Sequence, residues 1–144
     1  MAGGQYITAA EARSAISNID DVYKVDGVFT QTLLDIDIEN CEGKVDSKVA
    51  VRYNLPVTGA VALSLVRGWV ISLLRAKAYG HLATSETPSI VISEFIAANN
   101  ELTAVGRGEL RLGDMVETTT RGIVQHFHQE SNDVELSREK LKNY

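Results

Sequence analysis

The segment from Gly59 to Tyr79 constrains the fold of this chain more than any other, because it predicts a helix that is apolar almost all round. Its polar side chains form only a narrow strip, made of Ser64, Arg67, Ser72 and Arg75. A helix of this kind must be surrounded by other protein. We therefore expect it to be the central element, covered by other helices of the chain or by neighbouring subunits.

The same segment is too short to be a membrane span. A membrane-spanning helix needs about 20 consecutive apolar residues, whereas the apolar run from Ala60 to Leu74 contains Arg67 and is followed by Arg75. The stretch from Met1 to Tyr6 has neither a basic segment nor an apolar core, so we expect no signal peptide. The sequence therefore predicts a soluble protein without membrane partners.

A capping box predicts the first helix. In such a box the hydroxyl of Thr8 accepts from the backbone N–H of Glu11, and the Glu11 carboxylate accepts from the backbone of Thr8. The apolar residues expected to be buried by this helix are Ala12, Ala15, Ile16 and Ile19. A polar connection is expected to follow it, made of Asp20, Asp21, Asp26 and Gly27.

A second helix is predicted from Thr30 to about Tyr53, because apolar residues recur there at steps of three and four. The predicted stripe consists of Leu34, Ile38, Cys41, Val45 and Val49. Cys41 is the only cysteine, so no internal disulfide forms, and its place on the stripe indicates a core residue rather than a nucleophile. Pro56 disfavours the helical conformation of the residue before it, so the second helix is expected to end before Pro56.

Thr87 and Pro88 predict the start of a fourth helix, because a capping side chain precedes a proline suited to the first helical position. Its expected stripe is Val91, Phe95, Ala98, Leu102 and Val105. Gly80 and Gly106 are the expected C-terminal stops of the third and fourth helices. The side chains expected at the centre of the core are Trp69, Leu73, Phe95 and Leu102.

Beyond Gly106 the sequence becomes polar and rich in glycine and β-branched residues. A strand is predicted from Gly122 to His128, and a short helix or arm from Ser137 to Tyr144. The predicted fold is therefore mainly α, a bundle of about four helices over residues 1–113. A C-terminal irregular or β segment with an extended arm follows over residues 114–144.

No catalytic site, metal site or cofactor is predicted. Alternating carboxylates from Asp35 to Glu39 suggest a calcium loop, but Asn40 stands where the loop requires glycine, so a solvated helix face is the better interpretation. His126 and His128 lie on one face of the predicted strand without a third ligand of the usual spacing. The run from Gly106 to Gly108 lacks the remainder of a nucleotide-binding fingerprint.

The charge pattern argues against a protein that grips nucleic acid. The net charge is −5 and no basic run occurs, whereas affinity for a phosphate backbone depends on clustered positive charge. A helical DNA-binding regulator would need a recognition helix with basic and amide residues facing outward, and no predicted helix has such a face. Arg67 and Arg75 need partners because they lie on an apolar helix. The sequence leaves open whether those partners are carboxylates of the same subunit or of a neighbour.

Three stretches of the chain carry a resemblance to a known family. They are Val51–Val57 with its arginine-tyrosine-x-leucine-proline ending, Leu102–Gly113 with its glycine-bounded turn, and Glu135–Tyr144 with its serine-arginine pair. In this order they resemble the small head–tail adaptor, or connector, proteins of Mu-like and related tailed phages.

This resemblance implies a structural virion protein rather than an enzyme. Members of the family form rings, commonly of twelve copies, that dock on the portal protein after DNA packaging. The ring provides the attachment surface for the next neck or tail protein, and genomic DNA passes through its lumen without sequence-specific binding. The implied location is the virion neck, after assembly in the host cytoplasm. A neck stopper or tail-completion protein is the alternative in the same setting, and a helical DNA-binding regulator is the alternative of another class.

The segments after the helical core are expected to be mainly intermolecular, over Arg107–Gly113 and Gly122–Tyr144. Interface energy concentrates in a few aromatic and arginine side chains. The residues predicted to contact the portal or a neighbouring subunit are Arg107, Arg111, Phe127, Arg138 and Tyr144.

Overall fold

The computed structural model describes residues 4–82 and 86–118. Within them the chain is mainly α-helical, which confirms the predicted fold class. The elements in chain order are α1 (Ala9–Ala15), α2 (Ile19–Val22), β1 (Lys24–Val25), β2 (Val28–Phe29), α3 (Gln31–Val49), α4 (Ala60–His81) and α5 (Ser89–Arg107). The long helices α3, α4 and α5 pack against one another around the core, and the short α2 brings the described helices to five rather than about four.

The predicted capping box is present at the start of α1. Thr8 Oγ1 accepts from the Glu11 N–H at 3.2 Å, and Glu11 Oε2 accepts from the Thr8 N–H at 2.7 Å. The apolar residues of this region that lie in the core are Ala12, Ile16 and Ile19. Ala15 is exposed, contrary to the prediction, because α1 ends there and the chain turns before entering α2.

The connection after α2 is a β-hairpin, whereas only a polar connection was predicted. Asp26 and Gly27 have φ angles of 53° and 78°, and two successive positive φ angles are what a two-residue type I′ turn requires. Val25 pairs with Val28 across this turn in antiparallel register. An Asp-Gly pair between apolar residues favours such a hairpin, so the sequence did contain the information.

The predicted stripe of α3 is fully confirmed. Its five residues, Leu34, Ile38, Cys41, Val45 and Val49, all lie in the core. The helix ends at Val49 rather than near Tyr53, because Tyr53 is already part of an isolated β-bridge with Glu117. Gly43 lies on the exposed side and does not interrupt the helix.

The helix α4 contacts α2, α3 and α5, as expected of a central element, but α3 likewise contacts three helices, α1, α4 and α5. Gly80 does not stop α4, because the helix continues through Gly80 to His81. Its buried residues are Ala62, Val66, Trp69, Val70, Leu73, Leu74 and Ala78. The helix is not enclosed on every side within this chain, because Val61 and Leu65 near its N-terminus are exposed.

The N-terminus of α4 is capped by a residue distant in sequence. Gly59 precedes the helix without a side chain, and the N–H groups of Val61 and Ala62 donate to the two carboxylate oxygens of Asp114 at 2.8 and 3.0 Å. A carboxylate also interacts favourably with the positive end of the helix dipole. Asp114 therefore contacts the helical bundle, and the predicted division between residues 113 and 114 stays a prediction.

The ends of α5 differ from those predicted. Pro88 is the N-cap rather than the first helical residue, and no side chain caps this end. At the other end the left-handed residue is Gly108, with a φ of 78°, while Gly106 remains inside the helix. A left-handed glycine does end the helix, as predicted, but this glycine is Gly108 rather than Gly106, because α5 continues to Arg107.

Phe95 is the predicted core residue that the structure places at the surface. It is 37% exposed, whereas Trp69, Leu73 and Leu102 are buried as predicted. An α-helix turns by about 100° per residue, which puts Phe95 at the edge of the buried stripe of α5 rather than at its centre.

Residues after α5 fold back onto the helices. Leu112 is buried, and its N–H donates to the hydroxyl of Tyr53 at 3.0 Å. The Thr118 N–H donates to the carbonyl oxygen of Arg52 at 2.7 Å. The predicted strand at Gly122–His128 and the predicted arm at Ser137–Tyr144 lie outside the described residues.

Candidate subunit interface

The predicted interface residues fall into two groups. Phe127, Arg138 and Tyr144 lie outside the described residues. Arg107 and Arg111 are exposed, and the Arg111 Nε lies 3.8 Å from Glu117 Oε1. Both arginine side chains are therefore accessible to a partner.

The backbone around these arginines is held by the chain itself. Arg52 Nε donates to the carbonyl oxygen of Gly106 at 3.3 Å, and Arg52 Nη2 donates to that of Arg107 at 3.0 Å. The last carbonyl groups of a helix lack partners within the helix, and Arg52 supplies donors for two of them. The backbone of Arg107 and Leu112 thus has contacts within the chain, while the side chains of Arg107 and Arg111 remain exposed, and the intermolecular role of Arg107–Gly113 stays a prediction.

Asp37 is the centre of a group of titratable side chains that joins α3 to α4. Tyr23 Oη donates to Asp37 Oδ2 at 2.7 Å, His81 Nε2 lies 2.8 Å from the same oxygen, and Lys77 Nζ lies 3.2 Å from Asp37 Oδ1. Burial opposes the charge of Asp37, but these hydrogen bonds outweigh burial and hold the pKa of Asp37 below its usual range. Asp37 is thus buried and paired, whereas the sequence had placed it on a solvated face.

Asp37→Asn is expected to remove part of the acid dependence of stability. The pKa of Asp37 in the folded state lies below the ordinary value of 3.8, so its charged form stabilises the fold above that value, and this contribution is lost as the pH falls through the folded-state pKa. Urea unfolding at a series of pH values should show the largest difference between wild type and variant near neutral pH. The difference should shrink below about pH 4; a constant difference down to about pH 2 would contradict this role.

Both arginines of α4 find partners within the chain. Arg75 Nη1 lies 2.5 Å from Glu94 Oε2 on α5, which satisfies the first of the two alternatives that the sequence left open. Arg67 Nε instead donates to the backbone carbonyl oxygen of Tyr6 at 3.0 Å. The contact of Arg67 ties the N-terminal segment to the central helix.

The N-terminal segment is fixed mainly by Glu42, a residue for which no sequence pattern predicts a role. Glu42 is 4% exposed. Its carboxylate accepts the backbone N–H groups of Gln5, Tyr6 and Ile7 at 2.6, 2.7 and 3.0 Å. The Tyr6 hydroxyl donates to Asp46 Oδ1 at 2.7 Å. These contacts are structural, and they anchor the segment that begins the described chain.

Cys41 is a core thiol, as predicted. Burial raises the pKa of Cys41 to about 11, so the nucleophilic thiolate is scarce at neutral pH. Within residues 4–82 and 86–118, no group of three or more histidine, cysteine, aspartate or glutamate side chains is placed to hold a metal ion. His126 and His128 lie outside the described residues.

A groove of about 400 Å³, here called groove A, opens between α3, α4 and the N-terminal half of α5. Its lining includes Cys41, Lys44, Leu73, Lys77, Ile92 and Phe95. Ile96 lies one turn after Ile92 on α5 and is 52% exposed. Groove A is therefore an apolar surface with lysines at its rim.

A second groove of about 270 Å³, here called groove B, lies between α4 and α5. Its lining includes the small residues Ser64, Gly68, Ser72 and Ala97. Trp69 lies between α4 and α5, and its Nε1–H donates to the carboxylate of Glu101. Leu65 lines the groove, and both Leu65 and nearby Val61 are exposed. Groove B is thus a shallow surface of small and apolar side chains with carboxylates at its rim.

Grooves A and B are the candidate interface of this protein. Exposed apolar side chains beside a few charges are typical of surfaces that bind another protein.

In the part of the chain that the structure describes, no helix is long and apolar enough to span a membrane. No family model, curated protein or solved structure matches this chain.

Proposed function

We propose that this protein is a structural subunit of the neck of a tailed phage, a head–tail adaptor that assembles as a ring on the portal. The supporting observation is that two of the three stretches that resemble the adaptor family contact each other. Arg52 and Tyr53 of the first stretch bind the backbone at Gly106, Arg107 and Leu112 of the second. Residues of the two stretches therefore form one contact region between the end of α3 and the turn after α5. This region, made of Arg52, Tyr53, Gly106, Arg107 and Leu112, is here called the joint.

The exposed surface is compatible with this function. Grooves A and B leave apolar side chains of α4 and α5 uncovered, as expected of a chain that completes its burial against neighbouring subunits. The net charge of −5 suits a ring through which DNA slides, because a weakly repelling surface does not grip phosphates. Arg107 and Arg111 are exposed beside the joint and are the proposed contacts to the portal.

The test is the mass of the purified protein alone and after mixing with the portal protein of the same virion. The adaptor function predicts that many copies join each portal ring. Replacing Arg107 and Arg111 together by alanine should weaken that binding without loss of helical circular dichroism. Arg13→Ala is the control, since Arg13 is an exposed arginine on α1, and helical circular dichroism reports whether the loss of its ion pair with Asp20 disturbs the fold.

Two other outcomes would replace the proposal. A protein that ignores the bare portal but binds a portal already carrying another neck protein would be a stopper or tail-completion subunit. Sequence-specific binding to duplex DNA, without binding to either assembly, would indicate a DNA-binding regulator.

A further inference from the structure

The two grooves lie on opposite flanks of α5. Successive helical residues are about 100° apart, so Ile92 and Phe95 face groove A, while Glu94, Ala97 and Glu101 face groove B. The grooves differ in composition and point in different directions. An interface that joins one groove to the other therefore leaves each copy with a free groove for the next copy.

Each groove carries one charge that has no oppositely charged partner among the described residues. In groove A this residue is Lys44, since Lys77 is paired with Asp37. In groove B it is Glu101, which accepts a hydrogen bond from the neutral indole of Trp69 while Glu94 is paired with Arg75. The unpaired charges of the two grooves are thus opposite in sign.

The two surfaces are also complementary in side-chain size. Bulky residues protrude at the edge of groove A, where Ile92 and Ile96 are 47% and 52% exposed. Groove B offers small residues instead, and a Cβ atom added at Gly68 would meet no other heavy atom within 4 Å. Small side chains allow another helix to approach closely, and bulky apolar ones fill the space.

We propose that the groove A flank of one copy packs into groove B of the next copy, with Lys44 facing Glu101 across the interface. This inference rests on the proposed function, since it assigns the contact between adjacent subunits of the ring. The interface is heterologous, which means that two different surfaces of the same chain meet. Repetition of such a contact generates a ring when the rotation between copies closes.

The test uses cysteines introduced at exposed positions and a short bis-maleimide cross-linker. Ile96→Cys labels groove A and Gly68→Cys labels groove B, while buried Cys41 remains in place and is checked in the unmodified protein. A mixture of the two single variants should give one-to-one dimers, and the double variant should give a ladder of multimers. Each single variant alone should stay uncross-linked. Gly80→Cys is the matched control for Gly68→Cys, because Gly80 is also an exposed glycine of α4 with open space around it.

The charge pairing is tested within the same assay. Adding Lys44→Glu to the Ile96→Cys protein should slow its cross-linking to Gly68→Cys by about two- to fivefold, because two carboxylates then face each other. Adding Glu101→Lys to the Gly68→Cys partner should restore the rate. Glu101→Gln is the control that keeps an acceptor for Trp69 while removing the charge.

The outcomes separate this inference from the proposed function. Dimers formed by either single variant alone would show an isologous contact and overturn the inference. The absence of specific cross-links in both the mixture and the double variant, with or without portal, would also overturn it and leave the grooves to a different protein. Cross-linking as expected in a protein that never binds portal would keep the heterologous contact and reject the adaptor function.

Discussion

Replacing Trp69 by alanine is expected to lower the free energy of unfolding by about 3–5 kcal/mol, the range for removing a large buried aromatic side chain. Trp69 is 3% exposed at the contact between α4 and α5. The variant loses both the packing of the indole and its hydrogen bond to Glu101. Urea unfolding followed by circular dichroism measures the effect.

Phe95→Ala is the matched control on the other side of that contact. Phe95 lies in groove A and is partly exposed, so its replacement should lower the free energy of unfolding by only about 1–2 kcal/mol. Equal losses for the two variants would mean that α4 is not the central helix, or that Phe95 is covered by a neighbouring copy under the conditions of the measurement. Repeating the Phe95→Ala measurement over a range of protein concentrations separates these explanations, because only a contact between copies depends on concentration.

Replacing Glu42 by alanine is expected to lower the free energy of unfolding by about 2–6 kcal/mol, since it removes the acceptor of two buried N–H groups, those of Tyr6 and Ile7. A buried donor that loses its partner costs about 1–3 kcal/mol. The N–H of Gln5 is partly buried and adds less, because water can replace the carboxylate there. The predicted structural consequence is release of the N-terminal segment from α3, which faster hydrogen exchange at Tyr6 and Ile7 would report.

Glu39→Ala is the control for the loss of a carboxylate on the same helix. Glu39 is exposed, so its replacement should change stability by about 0.5 kcal/mol or less. If Glu42→Ala were no more destabilising than Glu39→Ala, the N-terminal segment would not contribute to the stability of the bundle. The proposed anchoring by Glu42 would then be wrong.

Local features of the sequence determined most of the secondary structure. The capping box at Thr8 and the stripe of α3 were predicted correctly, because the interactions concerned join residues three or four positions apart. The Asp26-Gly27 turn is equally local, and its hairpin was missed because the surrounding carboxylates were interpreted only as a polar connection. Local information also predicted that a left-handed glycine follows the last helix. It gave the wrong position, because Gly106 was predicted and Gly108 has the positive φ angle, and both are glycines within one turn of the same end.

The tertiary structure alone decided the contacts between residues far apart in sequence. Asp114 caps α4 through Val61, which lies 53 positions away in sequence. Glu42 binds the backbone of Tyr6, which lies 36 positions away. No periodicity of the sequence connects such pairs. Asp37 was expected in solvent, but its partners Tyr23, Lys77 and His81 lie far from it in sequence. Phe95 was expected in the core, but it lies at the edge of the buried stripe of α5. Helical periodicity defines which residues share a face, but the angle at which α3, α4 and α5 pack decides where each face meets another helix and where it meets solvent. The grooves on either side of α5 follow from that packing, and so they could be found only in the folded chain.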